Sequence, residues 1–406
     1  GGPVVLCNNA LAWGGVERQV VNTLKGLAER LPEPPKLLCV RLGQGADYDF
    51  YRSALANYRG EVRNTIDIAA ARRQLAHVAT DLEDRISEAI SWMPMDVQDE
   101  ILRFAGDFAV LKPSVVHVWQ DALSISAGYA ARLMGVPRIL ISSRNMAAER
   151  FDYHRPYMAN AYCELAGCKE IIMLNNSEAG ARDYGRWLGL PFDRYVVVRN
   201  GIDASAFSRP SDVAVEQFKA SLGLPQSGRV IGSIFRFYPE KQPRPWIEAA
   251  HRIAVERPDS VFVIFGKGPL KNDLQSYARQ HGFGDRLFLP GTIKDVALGL
   301  AIMDTFMLTS ELEGTPNVIL EASLAGIPVV ATEAGGTAET IEVGRTGFLA
   351  DTAEPNAIAE LVIKVLDNRD WSARVGTEGP AFVQERFGLD RMLNELVELY
   401  DFRKVS

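Results

Sequence analysis

The chain has 406 residues, of which 47% are hydrophobic and 23% are charged. This composition excludes a disordered chain and a fibrous repeat, and at roughly 150 residues per domain the length suggests two or three domains. The net charge of -7 disfavours a nucleic-acid-binding protein.

Cysteine and histidine usage indicates a reduced protein without a zinc site. The four cysteines include no CxxC pair, and the five histidines are scattered. No run approaches the roughly 18 apolar residues of a membrane-spanning helix, and no signal peptide is visible. The sequence therefore predicts a cytoplasmic protein. The sequence leaves open a peripheral contact with the inner face of a membrane. The basic side chains that would make this contact are Arg59, Arg63, Arg72 and Arg73, although such residues more often form a solvated helix face.

Strands and helices alternate through the first half. Residues 3–9 are predicted as a buried strand, followed by Gly14-Gly15 and a helix. That helix carries one apolar stripe: Val20, Leu24, Leu27 and Leu31. Further strands are predicted at residues 36–41, 115–119, 138–142, 171–174 and 195–199. A charged helical stretch at about 67–111 is longer than a crossover needs and is interpreted as an insertion.

The alternation begins again after a polar segment near residue 203, so we predict a first domain over residues 1–203 and a second over 204–388. The second set of strands is predicted at residues 230–235, 261–265, 287–289, 305–309 and 328–332. A last helix, in the segment 389–406, follows the complete sheet and is expected to pack back on the first domain. The predicted fold is two Rossmann-like, doubly wound α/β domains facing each other across a cleft.

Loops after such strands, and the helix N-termini behind them, are where anionic ligands bind. Gly14-Gly15 lie in the first of these loops, where a ligand could approach the backbone, although a tight turn explains them equally well. Arg236 and Lys241 share the loop after the strand at 230–235. Two cations there suit a diphosphate, and an exposed basic loop is the alternative.

Two more strand-end loops are candidates. Gly266 and Gly268 follow the strand at 261–265, where glycines can admit a flat base or a phosphate. The GxGxxG fingerprint is incomplete at this loop and at Gly14-Gly15, which disfavours a nicotinamide enzyme. In the loop after residue 309, Thr315 is predicted as an N-cap and Pro316 as the first helical residue, with Gly326 ending the helix.

Two glutamates accompany that last loop, Glu313 just before the helix and Glu321 inside it. The amides of residues 314–318, including those of Gly314, Asn317 and Val318, are expected to point to a sugar hydroxyl or a phosphate. Glu321 lies inside the helix among small apolar residues, so its carboxylate needs a hydrogen-bond donor. The two hydroxyls of a ribose would supply one, and a backbone group is the alternative.

These motifs resemble glycosyltransferase family 4, the retaining group 1 enzymes of the GT-B fold. The likeness covers nearly the whole chain and is most specific between residues 200 and 349. It includes residues 200–203, Arg236 with Lys241, residues 266–269, residues 290–295, and Glu313 with Glu321 in a Glu-x7-Glu spacing.

The resemblance implies the role of each matching residue. Arg236 and Lys241 would bind the donor diphosphate, Glu321 the ribose, and Glu313 with residues 315–318 the donor sugar. The loops that carry Gly266, Gly268 and Ile293 would receive the base, and Gly14-Gly15 would complete the phosphate and acceptor site. It also implies a metal-independent reaction with no cofactor besides the nucleotide-sugar substrate, expected to be a UDP-sugar, with GDP- and ADP-sugars open. The acceptor would be a glycan or lipid-linked hydroxyl in bacterial surface polysaccharide synthesis.

Three residues of the first domain remain open. Arg144-Asn145 stand where many family members carry a histidine, and they are candidate acceptor or donor-sugar contacts. His117, near a strand end, is either a functional residue or a satisfied core histidine. Two other kinds of protein stay possible. One is a catalytically silent nucleotide-sugar-binding subunit, and the other is an epimerase or phosphorylase on the same fold.

Overall fold

A computed structural model describes residues 2–401, with the side chains of Ala122 and Ala206 left aside. The chain forms two compact units. The first extends to Gly201 and includes the chain from Asp390 onward, and the second comprises Ile202–Leu389. These divisions lie close to the boundaries predicted at residues 203 and 388.

The first unit is built on a seven-stranded parallel sheet of order β3-β2-β1-β4-β5-β6-β7. Its strands are β1 Val4–Asn8, β2 Lys36–Cys39, β3 Val62–Asn64, β4 Val115–Trp119, β5 Arg138–Ser143, β6 Ile171–Asn175 and β7 Tyr195–Val197. Central strands β4 and β5 are buried along their whole length, as expected for a sheet covered on both faces. Strand β3 was missed, because three partly buried residues carry little periodic signal.

Helices connect these strands. They are α1 Gly15–Ala28, α2 Ile68–Val78, α3 Leu82–Ala89, α4 Met95–Leu111, α5 Asp121–Leu133, α6 Tyr157–Ala166 and α7 Glu178–Leu188. Val20, Leu24 and Leu27 are buried as predicted, but Leu31 lies beyond the end of α1 and is only partly buried. The predicted helical stretch at 67–111 contains α2, α3 and α4, and the Asp67 carboxylate caps α2 by accepting from the Ala70 amide.

The second unit is built on a six-stranded parallel sheet of order β10-β9-β8-β11-β12-β13. Its strands are β8 Arg229–Ile234, β9 Ser260–Phe265, β10 Leu287–Gly291, β11 Thr305–Leu308, β12 Val329–Thr332 and β13 Gly347–Ala350. Its helices are α8 Asp212–Ser221, α9 Pro243–Glu256, α10 Lys271–Gln280, α11 Val296–Ala301, α12 Asn317–Leu324, α13 Pro355–Asp367 and α14 Arg369–Phe387. Edge strand β13 was missed. The prediction of two Rossmann-like domains is confirmed.

The last helix, α15, spans Leu389–Tyr400 and contacts the first unit. Its Arg391 donates to the carbonyls of Arg199 and Asn200 at 2.8 and 3.0 Å. Any side chain at Gly26 of α1 would overlap Leu393. Residues 402–406 of the predicted C-terminal segment lie outside the described residues. Within residues 2–401, no helix is long and apolar enough to cross a membrane.

Candidate functional site

The loop after β8 presents two cations at the carboxyl end of a central strand. Phe235 and Phe237 are buried and anchor it, while Arg236 between them is exposed. The Arg236 guanidinium lies 5.3 Å from the ring centre of Tyr238 and 3.6 Å from the Glu240 carboxylate, with 52% of its side chain exposed. Such a weakly held guanidinium can still fork onto phosphate oxygens.

Lys241 joins this loop to the one after β11. Its Nζ lies 2.5 Å from Oε1 of Glu313, and both side chains are largely buried. Gln242, next in the chain, has φ +46, and its carbonyl accepts from the Thr309 hydroxyl at 2.9 Å. The structure thus brings together Lys241 and Glu313, which are 72 residues apart.

The helix behind Glu313 begins later than predicted. Helix α12 starts at Asn317, and Pro316 is its N-cap with φ -71 and ψ 99. The predictions of Thr315 as N-cap and of Pro316 as first helical residue are therefore wrong. The extended ψ of Pro316 delays the helix by one residue, and the Pro316 side chain itself makes no capping hydrogen bond. Gly326, at φ +73, follows the last turn as predicted.

The segment around α12 is buried. Glu313 is 7% exposed and Glu321 2%, while Gly314, Thr315, Pro316 and Asn317 are buried and Val318 is partly buried. The carbonyl of Glu313 accepts from the Gly336 amide at 3.0 Å, which ties the segment to the loop after β12. The predicted donor residues of this loop therefore lie at the same sheet edge as Arg236 and Lys241.

Protein packing already requires the glycines after β9. A side chain at Gly266 would overlap the Phe235 carbonyl, and a Cβ at Gly268, where φ is +158, would lie 2.5 Å from the Phe237 carbonyl oxygen. The loops after β8 and β9 run backbone against backbone, with the Phe237 amide donating to Lys267 at 3.0 Å. Ile293, after β10, is buried and lies close to Gly299 of α11.

In the first unit, Gly14 and Gly15 begin α1. Gly14 is the N-cap with extended backbone at φ -173, so its φ does not require glycine. Nearby Glu17 accepts from the Gln120 side chain at 2.8 Å. Gln120 follows β4 with φ +79, a strained conformation that is common at functional sites. Sequence reasoning missed Gln120, because nothing in its residue type signals a positive φ.

The bonds of His117 are those of a core residue. It is fully buried, with Nδ1 2.7 Å from Tyr400 Oη and Nε2 2.7 Å from Ser142 Oγ. Burial, and secondarily the charge of Arg144, holds the pKa of His117 well below its usual value, so the ring is neutral. With both nitrogens engaged, the structure favours the core interpretation.

Arg144 and Asn145 follow β5 at the carboxyl edge of the first sheet. Arg144 is 8% exposed, its Cζ lies 4.2 Å from the ring centre of Trp119, and Nη2 donates to Asn200 Oδ1 at 2.9 Å. Asn145 is partly buried, and its side-chain oxygen accepts from the Met146 amide at 2.9 Å.

A buried carboxyl that sequence reasoning passed over lies at the same edge. Asp121 opens α5 and accepts hydrogen bonds from the hydroxyls of Tyr184 and Tyr153, the latter at 2.9 Å. Burial raises its pKa. Its position directly after a strand was the available signal, but the two tyrosines are more than 30 residues away.

Comparison with known proteins decides the family of the second unit. Residues 214–382 match the family described as glycosyl transferases group 1. The match contains every residue that the sequence analysis assigned to the donor site of that unit. Residues 214–382 are a group 1 glycosyltransferase domain.

Relatives of the chain match most of its length. The Vi polysaccharide biosynthesis protein VipC/TviE of Salmonella typhi is 29% identical over 418 residues, which span 98% of this chain and 71% of that protein. The UDP-Gal:alpha-D-GlcNAc-diphosphoundecaprenol alpha-1,3-galactosyltransferase of Escherichia coli is 29% identical over 264 residues, 64% of this chain and 67% of that one.

Solved structures share the fold of the chain. Anabaena HepE in complex with UDP and glucose superposes with a TM-score of 0.76 at 18% identity, covering 98% of this chain and 99% of that one. A glycosyltransferase from Rickettsia africae gives 0.78 at 17% identity, covering 98% and 97%. The GT-B fold class predicted from the sequence is thereby confirmed.

Proposed function

We propose that this group 1 glycosyltransferase is a retaining family 4 enzyme that moves a sugar from a UDP-sugar to a hydroxyl of a glycan or lipid-linked acceptor. The observation that carries the proposal is the Lys241–Glu313 pair beside the exposed Arg236, at the carboxyl edge of the matching domain. Two cations there, the fixed Lys241 and the exposed Arg236, can bind a diphosphate. The adjoining buried segment, residues 313–317, offers polar groups to a sugar.

The cations have a catalytic role in the proposal. When the bond between the sugar and the diphosphate breaks, negative charge grows on the leaving phosphate, and Arg236 and Lys241 stabilise that charge. Glu313 holds the Lys241 ammonium and contacts the donor sugar. Glu321 accepts from the ribose hydroxyls, and Gly266, Gly268 and Ile293 lie beside the base.

Retention follows from a same-face displacement. The leaving phosphate accepts the proton of the acceptor hydroxyl while that hydroxyl attacks the sugar carbon, so no protein nucleophile is needed. Because the two cations stabilise the leaving group, the reaction is proposed to need no metal ion. Gly14 and Gly15, at the start of α1, are proposed to contribute backbone to the acceptor side of the reaction.

The choice of donor and acceptor rests on relatives. The Escherichia coli relative is named for a UDP-galactose donor and a diphosphoundecaprenol-linked acceptor, and the Salmonella relative for the biosynthesis of Vi polysaccharide. We extend UDP-sugar and bacterial polysaccharide synthesis to this chain on that basis. Because lipid-linked acceptors reside in membranes, a cytoplasmic enzyme at the inner face of the membrane fits this role.

A peripheral membrane contact is proposed at the helical insertion. Val78, Trp92 and Met95 are exposed there. The basic patch considered from the sequence is partly neutralised, since Arg63 pairs with Asp107 at 2.7 Å and Arg72 with Glu83 at 2.9 Å. The contact would therefore be mainly apolar. Co-sedimentation with phosphatidylglycerol vesicles, lost on changing Trp92 and Met95 to Ser, would test it.

The function is tested by offering UDP-sugars with lipid-linked and free glycan acceptors and measuring UDP release, product mass and product anomeric configuration. We expect turnover that retains the α-configuration and persists in EDTA. Lys241→Ala should lose it, while Lys219→Ala, at a half-buried lysine of α8 outside the proposed site, serves as a control in the same unit. UDP binding without turnover would indicate a silent subunit. Bound pyridoxal absorbance with phosphate-dependent turnover would indicate a phosphorylase.

A further inference from the structure

Arg144 is a buried cation without a buried anion. It is 8% exposed and stands directly after β5, at the sheet edge where parallel α/β folds bind ligands. Burial alone lowers the pKa of Arg144, to about 9, with no carboxylate to oppose the effect. At neutral pH the guanidinium is charged, and a buried charge is normally paired.

The partners of this guanidinium are neutral. Nη2 donates to the amide oxygen of Asn200, and the plane lies over the Trp119 ring. Among the described residues, no carboxylate forms an ion pair with Arg144. Two arginines of this unit that are more exposed do pair with carboxylates. Arg63 lies 2.7 Å from Asp107, and Arg150 lies 2.6 Å from Asp183.

In the described part of the chain, the groups that contact Arg144 carry no negative charge. Asn145, Asn176 and Asn200 carry neutral amides, and His117 is an uncharged ring. The buried Asp121 of the same edge is bonded to Tyr184 and Tyr153.

A second buried donor lies under the guanidinium. Trp119 is fully buried, and no hydrogen-bond acceptor for its indole Nε1 is found in the part of the chain that the structure describes. A buried N–H without an acceptor is costly. One oxyanion bound beside Arg144 would offer acceptors to the guanidinium and to the indole together.

We propose that Arg144 and Trp119 form a subsite for an anionic oxygen group of the acceptor, either the carboxylate of a uronic acid or the phosphate of a lipid carrier. The inference rests on the proposed function, because it names the acceptor chemistry of that enzyme. The guanidinium forks onto two oxygens of the anion, and the neutral amide of Asn200 fixes its plane without competing for charge. A neutral acceptor would leave the buried cation unpaired and would bind more weakly.

Three probes with the same alkyl chain test the subsite by isothermal titration: octyl β-D-glucuronide, octyl phosphate and octyl β-D-glucoside. The full-length protein is expected to bind at least one anionic probe tenfold or more tightly than the glucoside. Preference for the glucuronide assigns a carboxylated sugar, and preference for octyl phosphate assigns a carrier phosphate. If the wild-type protein binds all three probes with equal affinity, the proposal is overturned before any variant is measured.

Variants localise the effect. Arg144→Gln should abolish the anion preference, and Arg144→Lys should keep part of it. Arg186→Gln, an exposed arginine of α7, is the matched control and should keep all of it. A preference that survives in Arg144→Gln overturns the assignment.

UDP binding is measured on the same samples, because it reports the donor site and is expected to persist in Arg144→Gln. If the wild type does not bind UDP, the result counts against the proposed function. If the wild type binds UDP but shows no preference for the anionic probes, the result counts against this subsite alone.

Discussion

Lys241 and Glu313 form an ion pair that joins the loops after β8 and β11, with Nζ and Oε1 2.5 Å apart and only 16% and 9% of the two side chains exposed. The pair therefore does two things in the proposed enzyme. It fixes a cation beside the exposed Arg236, and it holds a carboxylate in the segment that leads into α12.

Breaking this pair should reveal its contribution to stability. Lys241→Met leaves the Glu313 carboxylate shielded without its cation, which should lower the free energy of unfolding by about 1–3 kcal/mol. The double variant Lys241→Met/Glu313→Gln should cost less than the sum of the single changes, with a coupling of about 1–2 kcal/mol. Denaturant unfolding of the wild type, the two single variants and the double variant measures this coupling energy. Strictly additive effects would show that the pair contributes nothing.

The glycines after β9 should be intolerant for packing reasons. Gly266→Ala places a Cβ against the Phe235 carbonyl, so the loops after β8 and β9 must separate, and we expect the melting temperature to fall by several degrees. Gly376→Ala is the control, because its Cβ meets no atom within 4 Å and it lies inside α14. That variant should be unchanged or up to about 1 kcal/mol more stable. Similar effects in both variants would contradict the packing explanation.

His117 should make the first unit sensitive to acid. Its folded-state pKa lies well below the unfolded value of 6.5, so as the pH falls below 6.5 the unfolded chain binds a proton that the folded unit does not. The stability present above pH 6.5 is therefore lost on acidification, at up to about 1.4 kcal/mol per pH unit. Unfolding followed from pH 7.5 to 4.5 should show a shallower loss in His117→Gln, whereas His77→Gln, at an exposed site, should match the wild type.

Substitutions in the proposed donor site should reduce sugar transfer without unfolding the protein. Lys241→Ala and Glu321→Ala are each expected to reduce sugar transfer by about 100-fold or more, since each removes a charged contact to the donor. Circular dichroism should show the fold intact in both. Near-normal turnover in both variants would remove these residues from the site.

Much of the fold could be predicted from local pattern. Strand β4 was predicted at its observed bounds, because five consecutive buried residues lie between clear helical segments. The edge strands β3 and β13 were missed, since three partly buried residues, and four residues buried only at the two ends, have no strong period. Leu31 looked like part of the α1 stripe, but the helix ends at Ala28, which no capping residue in the sequence announces.

The site was predictable where chemistry and position coincide. Arg236, Lys241, Glu313 and Glu321 are charged residues next to buried strands or inside an apolar helix, and the structure pairs Lys241 with Glu313. Contacts between distant segments were not predictable. The pairing of Lys241 with Glu313, and the lack of a carboxylate beside Arg144, depend on which loops the sheet order brings together.

The most direct test of the proposed donor site is nucleotide binding by the wild type and by Glu321→Ala, measured as the shift in melting temperature with UDP, GDP, ADP and CMP. A ligand that binds only the folded state raises that temperature. The account predicts a clear shift with UDP, smaller shifts with the other three nucleotides, and loss of the UDP shift in Glu321→Ala. No shift with any nucleotide, or a UDP shift that survives in the variant, would contradict it.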